Sequence, residues 1–370
     1  MKRILHVMGA RPNFMKIAPI IREMAQYPGD YKQILVHTGQ HYDASMSQVF
    51  FDELELPQPD VNLGVGSGSH AQQTALIMQR FEPVLLDYKP DWVVVPGDVN
   101  STVACALVAS KLGVKVAHVE SGLRSGDRTM PEEINRILTD HLADLLFTTE
   151  PSGNENLRRE GIPEEKIRFV GNTMIDTLVQ LLPKAEARWP QWRERLAVDR
   201  YVLVTLHRPA NVDDVSTFGE IMTALCQISR EIPVVFPVHP RTRQHLARLN
   251  LQPATHNLQF LEPLGYLDFL ALETHASLVL TDSGGVQEET TYLGVPCLTA
   301  RPNTERPVTI TNGTNRLVAS RAADLIAAAQ EALADAIVTP TGSRVAPRPE
   351  LWDGRAATRL VAALGAVAGS

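Results

Sequence analysis

Ser277-Leu278-Val279-Leu280-Thr281-Asp282-Ser283-Gly284-Gly285-Val286-Gln287-Glu288-Glu289 is the stretch whose reading decides the fold. Its apolar start reads as a buried strand, and Val286 to Leu293 reads as a helix. A strand that passes through Ser-Gly-Gly into a helix leaves backbone N–H groups at the helix start, next to the positive end of its dipole. That is a site for a phosphate. The two glycines allow a close approach of the backbone to a ligand. Glu288, one turn in, is placed to accept hydrogen bonds from a ribose diol. The same residues also suit an ordinary strand–helix turn with a solvated acidic first turn, and this stretch alone does not separate the two.

The rest of the chain repeats the strand–helix alternation. Strands are expected at Ile4–Met8, Gln33–His37, Trp92–Pro96, Lys115–Val119, Leu145–Thr148 and Ile167–Phe169. Helices are expected between them at Ile17–Gln26, Ala71–Asp87, Val103–Leu112 and Pro131–Ala143. The second half continues with strands Tyr201–Thr205, Val234–Val238, Leu258–Leu261, Leu278–Thr281 and Pro296–Leu298. Short apolar runs alternating with helices predict an α/β protein with parallel sheets. The 370 residues suit two domains. The polar stretch Pro183–Arg200 is the expected boundary, giving domains 1–182 and 183–352 and a last helix within 353–370. The tail after Thr339 is rich in Pro and Ala before the helix expected at Gly354–Leu364.

Composition narrows the class. The chain is 44% hydrophobic and 21% charged, as globular proteins are. A formal net charge of −7 argues against a general binder of nucleic acid or anionic membranes. Cys105, Cys226 and Cys297 are widely spaced and contain no CxxC pair, which fits small core residues in a reduced, cytoplasmic setting. No apolar run is long enough for membrane insertion, and the first residues enter a strand without a signal-peptide core. Neither an HExxH nor a DxD cluster is present, so no metal is expected.

Candidate chemistry gathers at strand ends. Gly9-Ala10-Arg11-Pro12-Asn13 ends the first strand, and Leu206-His207-Arg208-Pro209-Ala210-Asn211 ends the first strand of the second half. An Arg-Pro pair thus recurs at the carboxyl end of a strand, where open α/β sheets bind ligands. It also suits plain loop chemistry. Pro96-Gly97-Asp98 and Glu120 close two further strands, and Glu132 and Glu133 follow Pro131 at a helix start, with Arg136 one turn on. Glu132 fits a helix-dipole role as well as an active-site role. Convergence of these carboxylates with His207 would make a general acid/base set.

Together these residues resemble a known family. Gly9-Ala10-Arg11-Pro12 with Lys16, Gly97-Asp98, His118-Val119-Glu120-Ser121-Gly122-Leu123-Arg124, Met130-Pro131-Glu132-Glu133-Ile134-Asn135-Arg136, Gly171-Asn172-Thr173, His207-Arg208, the Asp282–Glu289 stretch and Thr304-Glu305-Arg306-Pro307 are similar to the bacterial non-hydrolysing UDP-N-acetylglucosamine 2-epimerases. The similarity runs from Lys2 to about Leu317, and Asp353-Gly354 with the last helix fits as well. The resemblance implies the GT-B fold, two Rossmann-like domains whose parallel sheets face a central cleft, with the last helix crossing back to the N-terminal domain. It implies a UDP-sugar partner, no cofactor and a homodimer.

The chemistry so implied is anti elimination of UDP from UDP-GlcNAc to give 2-acetamidoglucal, then re-addition with the C2 proton delivered to the other face. The resemblance assigns acid/base work to Asp98, Glu120 and Glu132, with His207 also important. It assigns diphosphate contacts to Arg11, Lys16, His207 and the Ser283-Gly284-Gly285 amides, and a place near the diphosphate to Arg306. Glu288 becomes the ribose ligand, Leu261–Tyr266, with Leu264 and Tyr266, the uracil loop, and Arg136 a substrate-side cation.

Departures are visible. Asn13 stands where many members carry an acid, and Pro96, Val99 and Ser121 are also unusual. Gln40-His41 matches part of the pattern for a second, activating UDP-GlcNAc, whereas Tyr42-Asp43 and Gly66–His70 do not. The run His37–Asp43 with Met46-Ser47 and Phe50-Phe51 resembles a branch that includes enzymes acting on UDP-2,3-diacetamido-2,3-dideoxyglucuronic acid. A GT-B glycosyltransferase shares the Ser-Gly-Gly turn and the acidic ribose ligand but needs an acceptor site, which the sequence does not display. A nucleotide-sugar sensor would have no need of the carboxylates, and a hydrolysing epimerase usually carries a kinase domain.

Overall fold

The computed structural model describes residues 1–40, 51–238, 242–243, 245–246, 257–335 and 348–367, without the side chain of Arg11. The stretch 41–50, read above for the branch and the second nucleotide, and most of the Pro/Ala-rich tail, 336–347, lie outside the described residues. The chain divides into two compact units, 1–180 with 350–370, and 181–349.

In the first unit, strands β1 (Lys2–Met8), β2 (Tyr31–His37), β3 (Val61–Asn62), β4 (Trp92–Pro96), β5 (Lys115–Ser121), β6 (Leu145–Thr148) and β7 (Ile167–Phe169) alternate with helices. The helices are α1 (Arg11–Ala25), α2 (His70–Tyr88), α3 (Asn100–Lys111), α4 (Pro131–Leu142), α5 (Pro151–Arg159) and α6 (Thr173–Glu186). The sheet order is β3-β2-β1-β4-β5-β6-β7, and every pairing is parallel. Strand order therefore reverses between β1 and β4, the crossover point at which such sheets receive ligands. Leu5, Val7, Val93, Val95, Val116 and Leu146 bury one face of the sheet against Ile77, Phe81 and Leu85 of α2 and Cys105 and Ala109 of α3.

The second unit contains α7 (Trp189–Leu196), β8 (Val202–Thr205), α8 (Pro209–Val212), α9 (Val215–Ile228), β9 (Val234–Pro237), β10 (Leu258–Leu261), α10 (Tyr266–His275), β11 (Leu278–Thr281), α11 (Gly284–Leu293), β12 (Cys297–Ala300), α12 (Val308–Thr311), β13 (Asn315–Val318) and α13 (Ala322–Asp335). Its order, β10-β9-β8-β11-β12-β13, is again parallel throughout, with its crossover point between β8 and β11. Val202, Val204, Leu278, Leu280 and Leu298 pack against Phe218, Ile221 and Leu225 of α9 and Leu325 and Ala329 of α13.

The strands stand where their apolar runs predict, with small shifts at the ends. Two short edge strands, β3 and β13, escaped the sequence reading because neither is a continuous apolar run. Helix α1 starts at Arg11 rather than Ile17, because Pro12 suits a helix's first turn and Asn13 caps it by accepting the Ala10 N–H at 3.0 Å. The expected boundary stretch Pro183–Arg200 is mostly helical, since α6 continues to Glu186 and α7 fills Trp189–Leu196. No described helix is long and apolar enough to cross a membrane.

The last helix, α14 (Ala356–Ala366), belongs to the first unit. Buried Trp352 donates its indole N–H to the Thr149 carbonyl at 2.9 Å, and Lys2 donates to the carbonyls of Leu364, Gly365 and Val367. Asp176 of α6 caps α14 by accepting the N–H groups of Ala356 (3.0 Å) and Ala357 (2.7 Å). Burial outweighs these bonds and lifts the Asp176 carboxyl from 3.8 to about 6. A carboxyl whose folded pKa lies above its unfolded value favours the protonated folded form. Its contribution is fully present below 3.8 and is lost as pH rises through about 6. Denaturant midpoints of Asp176→Asn, measured across that window, should therefore fall less with rising pH than those of the parent protein. Parallel curves would remove Asp176 from the pH dependence.

Candidate active site

In the first unit Asp98 and Glu120 lie at the carboxyl ends of the neighbouring strands β4 and β5, beside the crossover point between β1 and β4. The β4–α3 turn carries Gly97 and Asp98, and Glu120 is the last residue but one of β5. Gly97 is left-handed (φ +66°), and a Cβ there would lie 2.9 Å from the Lys16 ammonium and 3.7 Å from a Glu120 oxygen. Only glycine fits such a backbone beneath such a cluster. Glu120 is itself left-handed (φ +69°), and the β5–β6 register slips between Val119 and Ser121. A non-glycine residue held in this region marks a position over-determined by its surroundings. The bulge aims a carboxylate that is only 7% exposed at the equally buried Lys16, and the two form an ion pair. Lys16 lies on the first turns of α1, whose first residue is Arg11.

Asp98 is half-buried and paired with Arg136 of α4. Arg136 also pairs with Glu133, and Asn135 donates to the Asp98 carbonyl at 2.9 Å. Arg136 is only 2% exposed, and its described partners are these two carboxylates. Glu133, which the sequence reading passed over for its neighbour, accepts the N–H groups of Ser125 (3.0 Å) and Gly126 (2.9 Å). Burial would raise its carboxyl, but these bonds and Arg136 hold it below the usual range. Glu132, half-buried in the first turn of α4, makes no hydrogen bond or ion pair among the described residues.

In the second unit, buried Asp282 ends the crossover strand β11 and organises the loop after β8. It accepts the N–H of Arg208 (2.9 Å), the Asn211 amide (3.1 Å) and the N–H of His207 (3.1 Å), and its carboxylate lies 3.1 Å from the His207 ring. Burial alone would raise this carboxyl, yet the His207 and Arg208 contacts hold it low. His207 is thereby aimed outward, with its side chain 47% exposed. Asp282 stood in the quoted stretch without a role of its own, and the structure shows it holding His207 and Arg208. Its place at the end of a crossover strand, next to His207, was the available signal.

Ser283, Gly284 and Gly285 are half-exposed at the N-terminal end of α11. A Cβ on Gly284 would sit 2.6 Å from the Arg306 guanidinium, so the arginine lies close over the glycine turn. Arg306 also pairs with Glu288 (2.7 Å) and with Glu305, which pairs with Arg301 (2.8 Å). Glu288 is fully buried behind Arg306. A ribose hydroxyl reaching it has to share it with that cation. Leu264 is half-buried in the β10–α10 loop, whereas Tyr266 turns inward and donates its hydroxyl to Glu289 at 2.8 Å. Tyr266 therefore packs inside the domain, and the loop before it carries the exposed surface. No group of three or more potential metal ligands gathers among the described residues.

The family model described as UDP-N-acetylglucosamine 2-epimerase matches residues 23–365. The chain is 44% identical over 328 residues to the UDP-N-acetylglucosamine 2-epimerase of Methanococcus maripaludis, an alignment covering 86% of this chain and 88% of that one. It is 40% identical over 363 residues to the UDP-2,3-diacetamido-2,3-dideoxy-D-glucuronate 2-epimerase of Pseudomonas aeruginosa, covering 97% and 98%. The crystal structure of Methanocaldococcus jannaschii UDP-GlcNAc 2-epimerase in complex with UDP-GlcNAc and UDP superimposes with a TM-score of 0.87 at 43% identity, covering 98% of this chain and 99% of that one.

Asn13 is more than a departure from a pattern. It is 2% exposed, accepts from Ala10 and donates to the Pro96 carbonyl at 3.0 Å, tying the β1–α1 turn to the end of β4. A carboxylate can accept but cannot donate, so Asn13→Asp would set an anion against a carbonyl. The expected cost is about 1–3 kcal/mol of stability in denaturant unfolding. An unchanged midpoint would show that the Pro96 contact is dispensable.

Proposed function

This chain belongs to the UDP-N-acetylglucosamine 2-epimerase family, and we propose that it interconverts UDP-N-acetylglucosamine and UDP-N-acetylmannosamine by elimination and re-addition of UDP. The observation that carries this reading is the pair of carboxylates beside the first crossover point, each paired with a different cation: Asp98 with Arg136, which Glu133 shares, and Glu120 with Lys16. Inversion at C2 needs proton transfer on two faces of the sugar, and hence two separately placed groups.

In the forward direction one carboxylate takes the C2 proton. The C2–H electrons form the C1=C2 bond of 2-acetamidoglucal, and the C1–O electrons leave with UDP. A second group then protonates C2 from the opposite face while a UDP oxygen re-forms the bond to C1. The half-exposed Gly284-Gly285 start of α11, behind Ser283 whose N–H is held by the Thr281 hydroxyl, with Arg306 near it and the outward-facing His207, suits a diphosphate that has to be retained while the glycal waits. Glu288 is assigned to the ribose and the loop around Leu264 to the base. The acetamido-sugar relative from Pseudomonas, similar over almost the whole chain, favours a second reading in which the substrate is a 2,3-diacetamido uronic acid of UDP. We further infer a cytoplasmic homodimer, which light scattering would check.

The test is incubation of a panel of UDP-sugars in deuterated water with no acceptor added, followed by NMR. C2-inverted product carrying deuterium at C2 is expected. Inverted product without deuterium would point to a redox or closed single-base route, and transfer that depends on an acceptor would point to a glycosyltransferase. On the sugar that turns over, Asp98→Asn should lower kcat by about 10²–10⁴-fold, the range for losing a positioned acid or base. UDP affinity by calorimetry should change little, because the proposed UDP groups lie elsewhere. Parent-level turnover would take Asp98 out of the mechanism.

A further inference from the structure

Helix α4 holds the Gly97-Asp98 turn at three points. Asn135 donates to the Asp98 carbonyl and Arg136 pairs with its carboxylate. The third point runs through His118, whose Nε2 lies 2.7 Å from the Gly97 carbonyl and whose Nδ1 lies 2.6 Å from Asp140 near the end of the same helix. A carbonyl only accepts, so Nε2 carries the proton in that bond. Asp140 also accepts the Gly122 N–H at 3.1 Å. Its one carboxylate therefore grips residues 118 and 122, two positions to either side of the left-handed Glu120.

We propose that Asp140, acting through His118, is a positioning residue that sets Asp98 and Glu120 together: it fixes the turn that carries the first carboxylate and the bulge that aims the second. This rests on the epimerase reading for the roles of those two carboxylates. The two residues touch neither of the proposed reacting atoms. Both are fully buried, an arrangement costly in desolvation unless every polar group is paired. The pairing is complete around the carboxylate. Arg124 lies 2.7 Å from Asp140 and is itself held by Glu160 of the segment following α5 at 2.6 Å. Burial alone would raise the Asp140 carboxyl, but His118 and Arg124 keep it below the ordinary range, so it remains the acceptor that the arrangement requires.

The experiment has two arms on the full chain. In the first, protein with ¹⁵N-labelled histidine is examined by NMR at pH 7, with His118→Gln used to assign the signal. The proposal expects a slowly exchanging Nε2–H signal from His118, and an Nε2 without its proton would overturn it. In the second, Asp140→Asn, nearly isosteric and the safer variant for folding, is compared with the parent in the C2 deuterium assay and in UDP calorimetry. A misplacement of both carboxylates should lower kcat by about 10²-fold, with KM and UDP affinity held. A folded Asp140→Asn protein with parent kcat would overturn the proposal, as would equal losses in kcat and UDP affinity. If the parent itself inverts none of the sugars, the epimerase reading fails, and the NMR arm alone still decides whether His118 holds Gly97.

Discussion

Within each unit the candidate residues depend on one constraint, that every strand of the sheet runs parallel to its neighbours. Parallel strands send all their carboxyl ends to a single edge, so the loops that follow them are brought together whatever their separation in sequence. In the first unit this gathers the ends of β1, β4 and β5, and with them Lys16, Asp98 and Glu120. In the second it gathers the ends of β8 and β11, and with them His207, Asp282 and the Ser283 turn. Strand order reverses between those same strands in both sheets, which opens the space that a ligand needs.

Charge at these edges is neutralised pair by pair. The carboxylates at the first unit's candidate site each have a cation or backbone donors: Lys16 for Glu120, Arg136 for Asp98, and Arg136 with the Ser125 and Gly126 amides for Glu133. Removing one member of such a pair would leave its partner buried and uncompensated, which is far costlier than the pair itself is worth. Helix α4 supplies much of this order, because residues 133, 136 and 140 recur at helical spacing and so share one face of the helix, with buried Asn135 beside it. Support under the Gly97-Asp98 turn thus comes from Asn135, Arg136 and, through His118, Asp140 of one helix.

The second unit uses arginine differently. Arg306 lies over the glycine turn and holds Glu288, and a chain of alternating charge runs on through Glu305 to Arg301. The loop that carries Arg306 is tied to α11, since Thr304 donates to Gln287 at 2.7 Å, and Gln287 also receives Asn315 at 3.1 Å. The cation is therefore fixed relative to the helix N-terminus by hydrogen bonds that do not involve the site itself. Fixed donors of this kind act on a leaving diphosphate without first having to reorganise.

The alternation of short apolar runs with amphipathic stretches determined the α/β class and most strand positions, because a strand buried on both faces leaves a continuous apolar signature. Leu278–Thr281 and Trp92–Pro96 are such runs. The motif residues at strand ends were legible for the same reason. The true start of α1, the two short edge strands and the helical character of Pro183–Leu196 were not, since these depend on capping and on what each segment packs against. Roles within the site divide in the same way. The sequence marked Glu132, Arg136 and Tyr266 by their neighbours, but only the tertiary structure turned Arg136 and Tyr266 inward to Asp98 and Glu289 and made Glu133 the buried anchor. It also brought Asp282 to His207 and Asp140 to both sides of Glu120. Sequence spacing records periodicity along one element, whereas a hydrogen bond between elements depends on register and crossover, which the folded chain alone decides.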